Sequence, residues 1–447
     1  MKKYFDKVFF KSALIIATPI VLQQLVSSLA QLIDNLMVGS INGQAIAGVG
    51  AVNSIFFVLM TASFGISEGA SIFIAQQYGA GKKEKIANSL AISITIILII
   101  AGIALTIINI YDEQFIKLFI NDVDSNSLAA LEYGMKYLNV LVWGYWIMML
   151  NNVLGSSFRA VGNTKIPMAA GMIAVITNTC LNLILIPKFG VEGAAFATVC
   201  SRIIEFAILF VILKRVQTVF VFGLKSFTTV KLAQVKQITK KMMPLTLNEC
   251  LWGLGTSTLM ALYGARSIND LASIQITYTI ANLLFVAMAG FGVAVSVLIG
   301  QKLGQGNFEE AIENSKKLLA LGSIVGLVFL VIAQIISFII PLLYGNVDPI
   351  IQVQSANLLR IIGLVYPVYI ITVTFFFTLR AGGDTVGVLI MDAGTVWLLS
   401  IPVGFILVNY TSAPIYLIFI GVQSFEIFKM LIGFYRYRKN NWVQNIV

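Results

Sequence analysis

Long stretches without charge alternate with short basic or glycine-containing breaks along the whole chain. An α-helix needs about 20 apolar residues to cross a bilayer. Six such windows lie in the first half, at residues 12–37, 46–76, 87–110, 131–154, 166–187 and 192–213. Six more follow at 242–264, 272–300, 317–341, 354–379, 386–408 and 414–435. The expected fold class is all-α integral membrane, with twelve transmembrane helices. An even number of spans leaves both termini on one side of the membrane.

The two sets of six repeat. Pro19 and Pro244 open the first and seventh windows, 225 positions apart, and the same offset pairs IFIAQQYGAG (72–81) with VLIGQKLGQG (297–306). An offset of 221 pairs RAVGNT (159–164) with RAGGDT (380–385) and carries Glu205 onto Glu426. Since each set contains an even number of spans, the repeats enter from the same side and are parallel, related by an axis along the membrane normal, with a cavity expected between them. The expected domains are an N-terminal six-helix lobe over 1–213, a basic cytoplasmic linker over 214–241 and a C-terminal six-helix lobe over 242–447. Within the linker, Leu232, Val235, Ile238 and Met242 recur at helical spacing against Lys231, Lys236, Lys240 and Lys241. This fits an interfacial helix on anionic lipid, or lysines that only set topology.

Lysine and arginine placement orients the chain. With the N-terminus inside, 23 of these residues fall in inner segments and five outside: Lys117, Lys136, Lys188, Arg266 and Arg360. Basic residues concentrate on the cytoplasmic side, so both termini are expected there, in a multi-pass protein of the cell's inner (plasma) membrane. At 58% hydrophobic and 11% charged residues, the composition excludes a soluble protein. The net charge of +10 does not signal nucleic acid, because the basic residues sit in short loops and form no continuous face. Cys180, Cys200 and Cys250 all fall inside apolar windows, which indicates neither a disulfide framework nor a thiolate metal site. There is no histidine, so proton chemistry falls to Asp, Glu, Lys or Tyr. The N-terminal MKKYFDKVFFK leads straight into a full-length apolar window without a cleavage site, unlike a removable signal peptide.

Carboxylates inside such windows are costly and usually face a wet, protein-lined interior where they handle an ion or a charged substrate. Six occur away from the window edges: Asp34, Glu68, Glu205, Glu249, Asp392 and Glu426. Glu205 has Arg202 three positions before it and Glu426 has Lys429 three after, spacings that allow pairing on one helix face. Asp392 stands near the inner loop, within reach of water, and Glu68, among small neighbours in GISEGAS, suits either a helix contact or a cavity. Asp34 and Glu249 follow the prolines of the first helix of each half, where a lost backbone bond can free carbonyl oxygens. Asp34 either faces the interior or lies close enough to the outer helix end to reach water. Asn178 and Asn182 share one face of the fifth window. With a carboxylate they would offer a hard cation such as Na+ several oxygens, or they tie helices together.

A proline-led first helix ending in IDNLMVG, the GxSxGAS segment before AQQYGAG, then FRAVGNTKIPM and the NxxxN ahead of GVEGAAFAT together resemble the multidrug and toxic compound extrusion (MATE) transporters of the DinF-like bacterial type. The resemblance covers essentially the whole chain and rests on the order and spacing of these motifs. It implies export of amphipathic, usually cationic, drugs by antiport with H+ or Na+, without a further cofactor and as a monomer among membrane lipids. By the resemblance, Asp34 is the cation-coupling carboxylate, Asn178 belongs to its site, and Thr198 closes the same pocket. Asn182 stands where many members have an aspartate, so one acidic ligand is replaced by an amide. Asp34, Asn178 and Asn182 are the residues through which Na+ would be held. Glu249 and Tyr366 match cavity residues of the C-terminal lobe in the NorM-like branch, whose tenth-helix aspartate is Ile370 here. Glu68 has no counterpart with a role to transfer.

Other classes fit less well. A flippase for lipid-linked oligosaccharides would line its cavity with several arginines, whereas only Arg202 lies mid-window. A prenyl-transfer enzyme would need paired aspartates for Mg2+ and diphosphate, and a channel would need rings of like groups.

Overall fold

The computed structural model describes residues 6–120, 125–216 and 219–447. Lys2 and Lys3, two of the inner charges, and Gln217 and Thr218 of the linker lie outside the described residues. The first half contains helices α1 (Lys7–Gly39), α2 (Gly43–Gly79), α3 (Lys83–Ile110), the short α4 (Asp112–Lys117), α5 (Ser125–Ala160) and α6 (Lys165–Arg215). After the short α7 (Lys225–Thr228) come α8 (Leu232–Arg266), α9 (Ile268–Gly304), α10 (Phe308–Leu343) and α11 (Pro349–Ala381). The chain ends with α12 (Thr385–Leu389), α13 (Ile401–Tyr410), α14 (Ile415–Gln423) and α15 (Phe425–Arg438). Two π-helical turns, Ile390–Gly394 and Val396–Ser400, join α12 to α13.

Among the described residues, ten helices are long and apolar enough to cross a membrane. The other two spans of the twelve have physical explanations. At about 1.5 Å per residue, the 51 residues of α6 would run far beyond a hydrocarbon core of about 30 Å. The helix instead breaks at Gly190 (φ 59°, ψ −134°), just past Pro187. There the chain doubles back so tightly that a Cβ on Gly193 would collide with the carbonyl of Leu185. The expected windows 166–187 and 192–213 are its two limbs. Helix α8 contains the seventh window, whose apolar run is diluted by Asn248, Glu249 and the hydroxyl residues Thr256, Ser257 and Thr258. Most of the long helices run a few residues beyond their apolar windows, because backbone hydrogen bonding continues after the side chains turn polar. Apolar side chains such as Trp143, Leu398 and Phe338 stay more than two-thirds exposed, as lipid-facing residues do.

The linker does not form a separate surface helix. Helix α8 passes without a break from Leu232 into the seventh span. Of the apolar stripe, Leu232 remains exposed while Ile238 and Met242 are buried. Met242 lies against Gly69 of α2, so closely that a Cβ there would stand 2.8 Å from its Cα.

The two halves repeat in their turns as well as their helices. Gly81 (φ 70°) and Gly306 (φ 74°) follow α2 and α9, and Gly162 (φ 86°) and Gly383 (φ 78°) follow α5 and α11. These are the glycines of the paired sequence motifs. A left-handed residue after a helix is the conformation glycine adopts without steric cost.

The described residues gather into two compact units. One holds the residues up to Val21, Ala75–Gly81 and Met243–Val447, and the other holds Leu22–Ile74 and Lys82–Met242. In the first unit Asp6 caps α1, accepting from the N–H groups of Val8 (3.0 Å) and Phe9 (3.1 Å), and takes Lys317 Nζ at 3.0 Å. The Phe9 N–H and the Lys317 ammonium hold the Asp6 carboxyl below the usual carboxylate range. Also in this unit, the ends of α2 and α9 cross through glycine. A Cβ on Gly79 would overlap the Gln301 carbonyl, and one on Gly304 would overlap that of Gln76. The buried Gln76 side chain donates to the carbonyls of Ala381 (2.9 Å) and Gln444 (3.2 Å) and accepts from Ile446 N–H (2.9 Å), which seats residues 444–446 there.

Candidate functional site

The second unit carries the site built around Asp34. Asn178 and Asn182 lie one turn apart on the first limb of α6, and the reversal at Gly190 returns Thr198 to their side on the second limb. Asn182 Nδ2 donates to Asp34 Oδ1 at 2.7 Å and reaches Asn178 Oδ1 at 3.3 Å. Asn178 stands 3.4 Å from Thr198 Oγ1. The Asn178 amide makes more bonds when turned over: Nδ2 then donates to both Asp34 oxygens (2.9 and 3.0 Å) and Oδ1 accepts from Thr198 N–H (3.2 Å). Asn182 is 2% exposed and Asn178 7%, whereas Asp34 is only half-buried. The carboxylate therefore has its amide partners on the buried side and an open side as well.

Four oxygen-bearing groups thus converge: the Asp34 carboxylate, two amides and a hydroxyl. Among the described residues, buried Asn182 Oδ1 accepts no hydrogen bond. A buried acceptor without a donor is costly, and a hard cation or a protonated carboxyl can satisfy it. Tyr137 of α5, 6% exposed, neighbours Thr198 and is the site residue that sequence reasoning missed. It follows Lys136 at the start of an apolar window, and nothing in its spacing sets it apart from a packing tyrosine.

Two other acids of this unit, Glu205 and Glu68, sit in ion pairs. Arg202 Nη1 donates to Glu205 Oε2 at 2.8 Å, the local pair expected from the spacing. Glu68, 6% exposed, has Oε1 3.5 Å from Arg159 Nη2 and accepts from Ser71 Oγ at 3.2 Å. Arg159 and Arg202 border one cavity of about 110 Å³, so Arg202 is not the lone interior arginine the sequence suggested.

In the other unit, Lys429 bridges two carboxylates, Asp392 Oδ1 at 2.9 Å and Glu426 Oε1 at 2.8 Å. Asp392 is therefore a mostly enclosed member of a network and not a wetted residue near a loop; its side chain is 15% exposed. Its second oxygen accepts from Asn248 Nδ2 (3.1 Å), and Asn248 Oδ1 takes the N–H of Ala393 (3.2 Å) inside the first π-turn. A π-turn widens the helix, and here the side chain of α8 enters the opened turn. Glu249, the next residue on α8, is half-buried. Tyr366 is fully buried, donating to the Leu284 carbonyl at 2.8 Å and stacking on Phe329 with ring centres 5.1 Å apart. Its environment is a packed aromatic layer.

Comparison with known proteins places this arrangement. The MatE family model matches the chain twice, over residues 19–184 and 244–406. The matches start at the two prolines that open the sequence repeats and together cover more than half of the chain. The "Probable multidrug resistance protein NorM" of Thermotoga maritima is 27% identical over 451 aligned positions, covering 98% of this chain and 94% of that protein. The "Probable multidrug resistance protein YoeA" of Bacillus subtilis is 23% identical over 96% of this chain and 94% of its own. Among solved structures, a MATE protein in the bent conformation superposes with a TM-score of 0.88 at 20% identity, covering 97% of this chain and 95% of that one. An outward-facing multidrug resistance MATE transporter gives 0.87 at 20% identity, with 96% and 95% covered. These likenesses establish the fold, and the two family-model matches with their shared origin in the repeat establish more: the chain belongs to the MatE family, the multidrug and toxic compound extrusion transporters.

Proposed function

We propose that this protein exports amphipathic, cationic compounds across the cytoplasmic membrane by antiport with H+ or Na+, with both termini in the cytoplasm and the lobes 1–213 and 242–447 alternating access. The relatives' names as multidrug resistance proteins support the substrate class. The observation that carries the reading is the half-buried Asp34 carboxylate bonded to Asn182, whose own oxygen accepts no hydrogen bond among the described residues.

Antiport needs one negative site that cannot satisfy two cations at once. Ionised, Asp34 accepts the amide donors of Asn182 and Asn178 and attracts a cationic substrate. With a proton or Na+ in place its charge is cancelled, and the substrate is released. Na+ takes oxygen ligands, and Asn178 offers either face of its amide: nitrogen toward the bare carboxylate, oxygen toward a bound cation. A single inward charge at 100 mV supplies about 2.3 kcal/mol, enough for a roughly fiftyfold substrate gradient. No group here is asked to make or break a covalent bond, in keeping with a transporter and not an enzyme.

The test is dye efflux in everted vesicles. The protein is expected to accumulate a cationic dye while an ion gradient stands and to release it when H+ and Na+ gradients are collapsed. Accumulation that survives collapse of both would remove antiport.

A further inference from the structure

The cavity of about 110 Å³ in the Leu22–Ile74 and Lys82–Met242 unit is built differently from the Asp34 site. The residues lining it include Met60 and Met148 together with Arg159, Arg202 and Glu205. Methionine supplies an adaptable apolar surface, while guanidinium is the side chain best shaped to hold a carboxylate in two parallel bonds. Neither arginine is saturated. Arg202 makes one side-chain hydrogen bond, to Glu205, and its buried Nε has no acceptor among the described residues. About a third of its side chain remains open. Among the described residues the Arg159 head is held by the long 3.5 Å approach to Glu68 alone, and Gly155 one turn earlier leaves room for it, with Nη1 3.2 Å from where a Cβ would stand.

The acids limit what can enter. Glu205 Oε2 is taken by Arg202 and Asn151, while Oε1 accepts no hydrogen bond among the described residues. Arg159, Arg202, Glu68 and Glu205 sum to zero charge, so a bare anion meets an opposing carboxylate and a bare cation meets an opposing guanidinium. A group carrying both charges on adjacent atoms meets neither penalty. Arg202 also stands one turn from Thr198 on the same limb of α6, which puts this cavity next to the Asp34 site.

We propose that this cavity is a subsite for the zwitterionic end of amphipathic substrates, with Arg202 holding a carboxylate and Glu205 Oε1 the neighbouring ammonium. The proposal deepens the export reading and rests on it for its physiological meaning, but its test needs no transport. The probes are Nε-dansyl-lysine and dansylcadaverine, which share aryl group, chain and ammonium and differ only in the carboxylate. Binding to the purified full-length protein is read from dansyl fluorescence. The wild type is expected to bind the amino acid at least about tenfold more tightly, the scale of one charge-assisted bond. Arg202→Gln should bring the ratio of the two affinities to about one. Arg202→Lys, which keeps the charge but loses the fork, should fall between. Equal wild-type affinities for the two probes, or an unchanged ratio in Arg202→Gln, overturns the subsite. Should Arg202→Gln fail to fold, the wild-type ratio and Arg202→Lys decide. A wild-type preference for the amino acid in a protein that fails the vesicle assay would keep the subsite and remove antiport.

Discussion

Lys429→Met is expected to destabilise the protein more than loss of any other single charge, by about 3–5 kcal/mol. The ammonium is the shared partner of Asp392 and Glu426, and all three side chains are at most 15% exposed. Removing it leaves two carboxylates close together, with Asn248 the one other side-chain donor to Asp392 among the described residues. Breaking a buried ion pair from one side costs far more than replacing the whole set, because the remaining charge keeps its desolvation penalty without its partner. The triple variant Lys429→Met, Asp392→Asn, Glu426→Gln should therefore recover most of the loss. Thermal melting of the detergent-solubilised protein reads both. A single variant that melts within a degree of the wild type, or a triple variant no better than the single one, would contradict this view of the network.

Asp34→Asn has the largest expected effect on function. The amide keeps the size of the carboxylate and a carbonyl oxygen for Asn182 Nδ2, so insertion and melting temperature should change little. What it loses is the charge for which substrate and coupling ion compete. Dye accumulation in everted vesicles should fall from the roughly fiftyfold that one charge supports at 100 mV to equilibrium. Unchanged drug resistance in this variant would take Asp34 out of the mechanism.

The parts of this architecture that are local in sequence were legible there. Asp34 stood out because a carboxylate in an apolar window is rare, and Asn178 and Asn182 because a four-residue spacing puts two amides on one helix face. The Arg202–Glu205 and Lys429–Glu426 pairs followed from the three-residue spacing in the same way. The break in α6 falls in the gap between the expected windows 166–187 and 192–213. Contacts that depend on how separate helices register against one another were not legible. Asp392 read as a wet residue because its partners, Lys429 and Asn248, lie 37 and 144 positions away. Arg159 read as a loop charge, since nothing local shows that the end of α5 reaches the same cavity as the second limb of α6. The linker misled for the opposite reason: a clear amphipathic stripe suggested a separate helix, but Ile238 and Met242 are buried and α8 runs on.

The central claim is that substrate and coupling ion share one carboxylate, and a cation-jump titration tests it most directly. Dansylcadaverine is bound to the purified protein at fixed pH and Na+ is raised at constant ionic strength; in a second series the pH is lowered at fixed Na+. Competition at Asp34 predicts that at least one cation releases the probe, with an apparent Kd rising in proportion to that cation, and that Asp34→Asn removes the dependence. A probe whose affinity is indifferent to both Na+ and H+, or equally sensitive to them in Asp34→Asn, would contradict it.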